Sequence, residues 1–279
     1  MRTTRIIPVL AGSVILASGL AMLIPAAAQA AVACDEASLV TAINLANSSG
    51  GGNIALTPGC TYTLTSSNGS GTNGPDGLPI ITTAISLTGN ADVITRSAAA
   101  PDFRIAEVSA AGSLTLTSVT LSNGSSLTGD GGGILNFGSV TVNSGGLTDN
   151  TAAGNGGGIA SGPGSGAAAT FNSSPLSGNT ATAGSGGAVY SQGGTATLTS
   201  SPVNGNTAPL GNGGGIATIS AVLTLTSSPV SDNAADADGG SGGGVYRDDG
   251  TITVTTSPIS ANTPNNCTGS DPAVPSCTG

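Results

Sequence analysis

The side chains that usually carry out catalysis are scarce in this chain of 279 residues. The sequence contains no His and no Lys, and its five basic residues are all Arg. Without His there is no Ser–His–Asp nucleophile, no Cys–His pair and no HExxH zinc site, and without Lys there is no Schiff base and no phosphate-loop lysine. We therefore predict no catalytic residue and no bound cofactor.

Acidic residues are the remaining group that could do chemistry. A polysaccharide lyase needs a base and usually Ca²⁺ held by clustered carboxylates, and a glycosidase needs two converging carboxylates. The acidic residues of the repeats are scattered, at Asp130, Asp149, Asp232, Asp236, Asp238 and Asp248. Only the stretch from Asp232 to Asp249 is dense, and we interpret it as solvated surface because it lacks a DxDxDG spacing, with weak Ca²⁺ binding as the alternative. We expect Arg247 to form a local ion pair with Asp248 and Asp249.

The N-terminus has the pattern of a secretory signal peptide. Arg2 and Arg5 precede an apolar run over 6–24, and Ala28-Gln29-Ala30 forms a small-x-small cleavage site. We predict that residues 1–30 are removed, and that the mature protein is secreted and extracellular or associated with the cell wall. No membrane-spanning segment is expected after this cleavage.

Four cysteines flank the two ends of the mature chain: Cys34, Cys60, Cys267 and Cys277. They allow three pairings, and we favour the local disulfides Cys34–Cys60 and Cys267–Cys277 because each pair brackets one end of the chain. Disulfides fit an exported protein, and the absence of CxxC spacing and of His argues against a metal site. The alternative for Cys34 is a lipid anchor, since the preceding Ala31-Val32-Ala33 loosely matches a lipoprotein signal.

An internal repeat with a period of about 25–30 residues dominates the chain after residue 110. Each copy contains an alternating stretch such as Leu114-Thr-Leu-Thr117, a second apolar residue such as Leu121 and, after a glycine run, a third such as Ile134. Short stretches of this kind, separated by Gly, Ser, Asn and Pro, form strands and not helices. One copy cannot bury its apolar face alone, but stacked copies can. The sequence therefore predicts an all-β fold, a parallel β-helix with three strands per coil.

One asparagine recurs three residues beyond the second apolar residue in every copy except the first, which has Gly124 there. Asn tolerates the left-handed backbone of a tight turn, and a buried amide needs hydrogen-bond partners. We therefore predict a structural ladder of stacked side chains at Asn150, Asn179, Asn206, Asn233 and Asn262. The glycine runs lack the GK[ST] of a phosphate loop, so we interpret them as sharp turns between closely stacked coils.

The two ends of the repeat region need covers, because a solenoid otherwise exposes its apolar core. On the N-terminal side, Leu39, Ile43 and Ala46 would share one face of a short capping helix. Residues 68–77 are expected to form a flexible loop. We divide the mature chain into an N-terminal cap with irregular coils at 34–100, regular β-helix repeats at 101–262 and a disulfide-clasped tail at 263–279.

These motifs resemble a known group of exported proteins. The recurring GG[GA][IV] followed by [LVI]-x-x-N-[TA] is similar to the repeat of the Chlamydia-type polymorphic outer membrane proteins. The opening Leu39-x-x-Ala42-Ile43-x-x-Ala46-Asn47 and the following Gly52-Asn53-Ile54-x-Leu56 resemble the cap of secreted bacterial β-helix proteins with a CSLREA-type start. The resemblance implies a right-handed parallel β-helix of the pectin-lyase-like type.

Alternation along the first strand of each copy places threonines on its outer side. Because Leu114 and Leu116 point inward, Thr115 points outward. Stacked coils would then present one regular column on the surface: Thr115, Thr141, Thr170, Thr197, Thr224 and Thr253. This column looks like the ice-binding face of antifreeze solenoids, although Thr is also a favourable strand residue on a solvated exterior.

From these features we predict a secreted, non-catalytic and monomeric β-solenoid that offers a rigid surface for binding or adhesion at the cell envelope. Its expected partners are extracellular glycans or cell-surface components, and the net charge of −9 argues against nucleic acid. A polysaccharide lyase or hydrolase of the pectin-lyase-like fold is one alternative, although a shared fold alone establishes no activity. A protein that binds ice or a polymer lattice through the stacked threonines is the other.

Overall fold

The computed structural model describes residues 30–164, 166–236 and 241–278. Across these ranges the chain is an all-β parallel solenoid of about seven turns with one short helix near its N-terminus, as the sequence predicts. The expected signal peptide lies outside the described residues except for Ala30. None of the described helical structure is long and apolar enough to cross a membrane.

Helix α1 (Glu36–Ser48) packs against the first strands of the solenoid. Asp35 caps this helix, because its carboxylate accepts a hydrogen bond from the N–H of Ser38 at 2.8 Å. The buried face of the helix consists of Leu39, Ile43 and Ala46. The predicted capping helix is therefore confirmed, and its apolar face joins the main core.

The first coils are less regular than the later ones. Their strands are β1 (Gly51–Ala55), β2 (Thr61–Leu64), β3 (Gly69–Gly71), β4 (Gly74–Asp76), β5 (Ala84–Arg96) and β6 (Ala106–Val108). The expectation of a flexible loop at 68–77 is wrong, because β3 and β4 pair antiparallel and form a hairpin. The polar composition of this segment favours a solvated loop, but Asp76, near its end, is buried.

The regular coils follow in sequence. Their strands are β7 (Ser113–Ser122), β8 (Ser125–Ser126), β9 (Ile134–Asn136), β10 (Ser139–Asn143), β11 (Gly146–Thr148), β12 (Thr151–Ala152), β13 (Ile159–Ser161), β14 (Ala168–Asn172), β15 (Leu176–Ser177), β16 (Thr180–Ala181), β17 (Val189–Gln192), β18 (Thr195–Thr199), β19 (Val203–Asn204), β20 (Thr207–Ala208), β21 (Ile216–Ile219), β22 (Val222–Thr226), β23 (Val230–Ser231), β24 (Ala234–Ala235), β25 (Val245–Asp248), β26 (Thr251–Thr255) and β27 (Ile259–Ser260). A complete coil such as β10 to β13 holds four strands, so the expected three is corrected. The additional strand follows the ladder asparagine and has two residues, which is too short for alternation to reveal.

Equivalent strands of successive coils stack in parallel into three sheets. A 14-stranded sheet (the broad sheet) contains the first and second strands of each coil. The last strand of each coil belongs to a six-stranded sheet, and the short strands that follow the ladder position, β8, β12, β16, β20 and β24, form a five-stranded sheet. The register places like residues on one another, so that Leu116 pairs with Val142 and Val142 with Phe171. These residues are 0% exposed, and the core is therefore a set of stacked apolar columns.

The five ladder asparagines form one buried column at the turn after the second strand of each coil. Asn206 Oδ1 accepts hydrogen bonds from Asn179 Nδ2 at 3.0 Å and from the N–H of Asn179 at 2.9 Å. Asn179 Nδ2 also donates to the carbonyl of Leu147 at 2.9 Å. The same amide-to-amide bond joins Asn150 to Asn179, Asn206 to Asn233 and Asn233 to Asn262. Each amide therefore satisfies buried groups that its turn would otherwise leave unpaired.

Two further polar columns run along other corners. In one, Ser201 Oγ accepts from the N–H of Ser174 at 3.0 Å, and Ser228 Oγ accepts from the N–H of Ser201 at 3.0 Å. In the other, Asn212 Oδ1 accepts from the N–H of Ser241 at 2.7 Å. The sequence contains both signals. A Ser precedes a proline in the repeats, as in Ser174-Pro175 and Ser201-Pro202, and an Asn or Ser precedes the glycine runs, but such residues are also typical of ordinary turns.

The glycine runs bring neighbouring coils into close backbone contact. Gly213 has a φ of +63°, in the left-handed region. A Cβ on Gly215 would lie 2.7 Å from the carbonyl oxygen of Gly244 in the next coil. Glycine is therefore required here by conformation and by space.

The two ends of the described chain are each held by a disulfide. Cys34–Cys60 and Cys267–Cys277 are formed, with Cα–Cα distances of 5.8 and 6.4 Å, so the predicted pairing is confirmed. The tail continues the solenoid through single bridges from Thr263 to Ala234 and from Asp271 to Asp248. Its Asn266 accepts from Asn262 Nδ2 at 3.1 Å and so ends the asparagine ladder.

Replacing one central ladder residue tests how much this column stabilises the solenoid. In an Asn206→Ala variant, the N–H and Nδ2 of Asn179 lose their shared acceptor inside the protein. We expect the free energy of unfolding to fall by at least ~2 kcal/mol, since each unsatisfied buried donor costs about 1–3 kcal/mol. Denaturant unfolding measures the change, and Asn204→Ala, at an exposed position two residues away, is the matched control. Equal stability of the two variants would contradict a stabilising ladder.

Candidate functional site

The predicted threonines lie in one column on the outer side of the broad sheet. Backbone pairing joins Thr115 to Thr141, Thr141 to Thr170, Thr170 to Thr197, Thr197 to Thr224 and Thr224 to Thr253. Each threonine lies between two inward residues of its strand, as Thr197 does between Ala196 and Leu198. Five of the six side chains are half-buried by their neighbours in the column, and Thr253, in the last coil, is exposed.

Two parallel columns flank these threonines. On one side they are Ser113, Ser139, Ala168, Thr195, Val222 and Thr251, and on the other Thr117, Asn143, Asn172, Thr199, Thr226 and Thr255. We call the three columns together the threonine face. Neighbouring columns are ~6.6 Å apart along the strand and neighbouring coils ~4.8 Å apart, as sheet geometry requires.

The threonine face is uncharged and partly ordered by its own hydrogen bonds. None of its side chains is Asp, Glu or Arg. Asn172 Nδ2 donates to Asn143 Oδ1 at 2.9 Å, so that an outward amide pair repeats the arrangement of the interior ladder. The face therefore offers hydroxyls, methyls and amides in a two-dimensional array, and it has no fixed charge with which to select a charged ligand.

A second candidate site lies around Arg104, which is only 1% exposed. Its Nη1 contacts Asp76 Oδ1 at 2.9 Å and Glu107 Oε2 at 3.5 Å. Its Nη2 donates to the carbonyl of Asn73 at 2.6 Å and contacts Ser126 Oγ at 3.4 Å. One buried guanidinium thus joins hairpin β3–β4 to the six-stranded sheet, to which Glu107 belongs.

The Arg104 cluster is incompletely satisfied. Asp76 Oδ2 and Arg104 Nε are buried and have no hydrogen-bond partner among the described residues. Burial raises the pKa of Asp76 to about 6; the Arg104 charge and hydrogen bond oppose this rise, and Glu107 adds to it. A buried ion pair with one acid in excess contributes little to stability, because desolvation offsets its attraction. Such perturbed groups beside a cavity are typical of functional sites.

A cleft of about 620 Å³ opens beside this cluster. Asn73, Thr128 and Asp130 line it with polar groups, and Leu135 and Phe137 line it with apolar ones. Its volume lies within the ~300–1,000 Å³ typical of small-molecule sites. The structure therefore brings chemistry-bearing side chains together here, and not on the threonine face.

In the sequence, Arg104 is one of three arginines after the predicted signal peptide, within Phe103-Arg104-Ile105 of the early coils, and no motif marks it as a site residue. Asp76 lay in a segment expected to be a loop, and no local pattern links it to residues 104 and 107. The position of Arg104 between Phe103 and Ile105 is a signal for a buried charge cluster, because a charged residue between two core residues requires buried partners.

The carboxylates of the dense acidic stretch from Asp232 to Asp249 do not form a cluster among the described residues. Asp232, Asp248 and Asp249 are exposed, and the residues described contain no group of three His, Cys, Asp or Glu side chains that could hold a metal ion. Asp238 lies outside the described residues. The expected ion pair is wrong, because neither Asp248 nor Asp249 approaches Arg247, whose side chain is buried at 9% exposure.

Comparison of the chain with family models, with curated proteins and with solved structures found no match. The structure shows the β-solenoid. Since no related protein was found, the resemblance to polymorphic outer membrane proteins and to the CSLREA-type group stays a prediction. The alternative of a lipid anchor is incompatible with this structure, because the Sγ atom of Cys34 is bonded to Cys60.

The raised pKa of Asp76 predicts how stability depends on pH. Its folded-state pKa of about 6 lies above its ordinary value of 3.8, so the folded chain holds the proton more tightly than the unfolded chain. The contribution of Asp76 to the free energy of unfolding therefore falls as pH rises from about 4 to about 6, by roughly 2–3 kcal/mol. An Asp76→Asn variant lacks this contribution and should gain stability relative to the parent over that range.

Denaturant unfolding of both proteins between about pH 4 and pH 7 measures the difference. Asp102→Asn is the matched control, because Asp102 is 45% exposed and lies 4.0 Å from Arg96. A difference between Asp76→Asn and the parent that stays constant with pH would contradict the assignment.

Proposed function

We propose that this chain is an exported, non-catalytic solenoid whose threonine face adheres to an extended, uncharged glycan at the cell envelope. The observation that carries the proposal is the unbroken register of that face, in which the same residue type recurs on coil after coil. A polymer has its own regular repeat, so it can meet such an array at many points at once. Many weak contacts made together give strong binding without a deep pocket.

Export is supported by two separate features. The sequence of residues 1–30 has the pattern of a signal peptide, and the two disulfides favour an oxidising compartment.

The asparagine ladder and the disulfide-held ends also support a rigid scaffold, which loses little conformational freedom when its surface is covered.

The charge of the molecule supports an uncharged polymer as the partner. The chain carries a net charge of −9, and the threonine face itself has no basic residue with which to attract an acidic polysaccharide. Thr and Asn side chains both donate and accept hydrogen bonds, which suits the hydroxyl and amide groups of uncharged glycans.

A variant with a long charged side chain at the centre of the face tests this proposal. Thr197→Arg would project a guanidinium between Thr170 and Thr224 and hold a polymer away from both. We expect adsorption to insoluble cellulose or chitin to weaken at least tenfold, as measured by depletion from solution. Thr207→Arg, on the five-stranded sheet, is the matched control and should adsorb like the parent. Unchanged adsorption by Thr197→Arg, or no adsorption by the parent to either polymer, would refute the proposal.

Ice is a second candidate lattice for the same face. The specific observation that favours it is the column of six like threonines, each with a hydroxyl and a methyl group, at a constant spacing between coils. The expected result is thermal hysteresis in the parent that Thr197→Arg removes and Thr207→Arg retains. A parent that shows neither thermal hysteresis nor inhibition of ice recrystallisation would exclude ice as the ligand.

We further propose that glycans are bound without being cleaved. The support is the residue inventory: the chain lacks His and Lys, and the carboxylates of Asp76 and Glu107 both contact Arg104. Incubation with the adsorbed polymer, with Ca²⁺ and separately with EDTA, should release no new reducing ends and no unsaturated sugars. Release of either product would instead support the lyase or hydrolase alternative.

A further inference from the structure

We propose that the cleft beside Arg104 binds a sugar residue that carries no acidic group. This site lies on the six-stranded sheet, so it is separate from the threonine face and does not depend on the function proposed for that face. The cleft has a two-sided lining, polar residues held in place by buried partners, and a net negative charge.

The lining divides into an apolar side and a polar side. Leu135 and Phe137 supply carbon surface, and Asn73, Thr128 and Asp130 supply hydrogen-bonding groups. A pyranose ring has the same division, with a face of C–H groups and a rim of hydroxyls. Aromatic and aliphatic side chains pack on the C–H face, while amide, hydroxyl and carboxylate groups bond the rim.

The apolar side is built in advance of any ligand. The ring of Phe137 lies so close to Gly162 that a Cβ on this glycine would overlap it. Glycine at position 162 therefore leaves room for the ring at the wall of the cleft. A side chain fixed by its neighbours loses little freedom when a ligand packs on it.

The polar side is held by the buried charge cluster. Arg104 Nη2 donates to the carbonyl of Asn73 at 2.6 Å, so this atom is not assigned to the ligand. The side chain of Asn73 in turn donates through Nδ2 to Glu107 Oε1 at 3.1 Å. Asn73 is thus fixed at both its backbone and its side chain. Its Oδ1 has no hydrogen-bond partner within the described chain and remains available to a ligand hydroxyl. Arg104 and Glu107 are positioning residues.

The charge of the site excludes acidic sugars. Asp76, Glu107 and Asp130 outnumber the single positive charge of Arg104, and both Nη atoms of Arg104 are already bonded inside the protein. A carboxylate or sulfate on the ligand would therefore meet net repulsion. Neutral sugars and amino sugars fit this potential.

Titration of the mature, disulfide-intact protein with soluble oligosaccharides tests the proposal. The probes are cellotetraose, chitotetraose, a glucosamine tetramer and a galacturonate tetramer, with affinity measured by calorimetry. We expect binding of at least one of the first three and at least tenfold weaker binding of the galacturonate. No binding of any probe, or a preference for the galacturonate, would overturn the proposal.

Two variants locate the binding site. Thr128→Arg places a long side chain in the cleft from an exposed position, and Phe137→Ala removes the aromatic wall. We expect each to weaken binding at least tenfold, while Thr182→Arg, at an exposed position outside the cleft lining, leaves the affinity unchanged. Since Thr128 is exposed, its variant keeps the test decisive if Phe137→Ala does not fold. Binding that survives Thr128→Arg would overturn the proposal.

The two binding proposals fail separately. Adsorption to insoluble polymer and its loss in Thr197→Arg report on the threonine face, whereas oligosaccharide affinity and its loss in Thr128→Arg report on the cleft. Either result can be negative while the other is positive.

Discussion

The structure depends on one constraint, which is that each coil forms its backbone hydrogen bonds with the coils before and after it. Since this pairing is parallel and in register, a residue type that recurs in the sequence is stacked on itself in space. Apolar positions become core columns, corner asparagines become an amide ladder, and outward threonines become a surface array. One pairing rule therefore produces the stability of the solenoid and its most regular surface. Loops of different length can leave each coil without disturbing these columns, because they lie outside the paired segments.

Features that repeat, or that are close in sequence, could be predicted from the sequence. The solenoid, helix α1, the asparagine column and both disulfides each have a signal that recurs or spans a short segment. The predictions fail where a segment is too short or too polar to show its structure, or where strand alternation outweighs the charge of neighbouring residues. Two-residue strands such as β12 are too short to show a period, and the pairing of β3 with β4 is set within a polar segment that also fits a loop. The charges of Asp248 and Asp249 favour an ion pair with Arg247, but strand alternation turns Arg247 inward and Asp248 outward.

The candidate cleft was the least predictable feature, because it lies where the repeat is interrupted. In the regular coils, strands of the five-stranded sheet such as β12 and β16 end in the small buried residues Ala152 and Ala181, which fill space in the core. Nearer the N-terminus the chain places Asp76 and Arg104 opposite each other in a single backbone bridge. This buried ion pair takes the place of the uniform apolar packing, and two of its atoms, Asp76 Oδ2 and Arg104 Nε, lack hydrogen-bond partners among the described residues. Repetition thus supplies the scaffold, and departure from repetition supplies the individual site.

The in-register asparagine ladder also bears on how such a chain can change in length. Successive rungs are separated by 27 or 29 residues along the sequence, yet each rung makes the same bonds with the next. A tandem duplication of the 27 residues between two rungs would insert a whole coil and create no new kind of junction. Unequal recombination within the gene is therefore structurally tolerated at these positions, and the threonine face can grow or shrink by one coil at a time while both end covers stay in place.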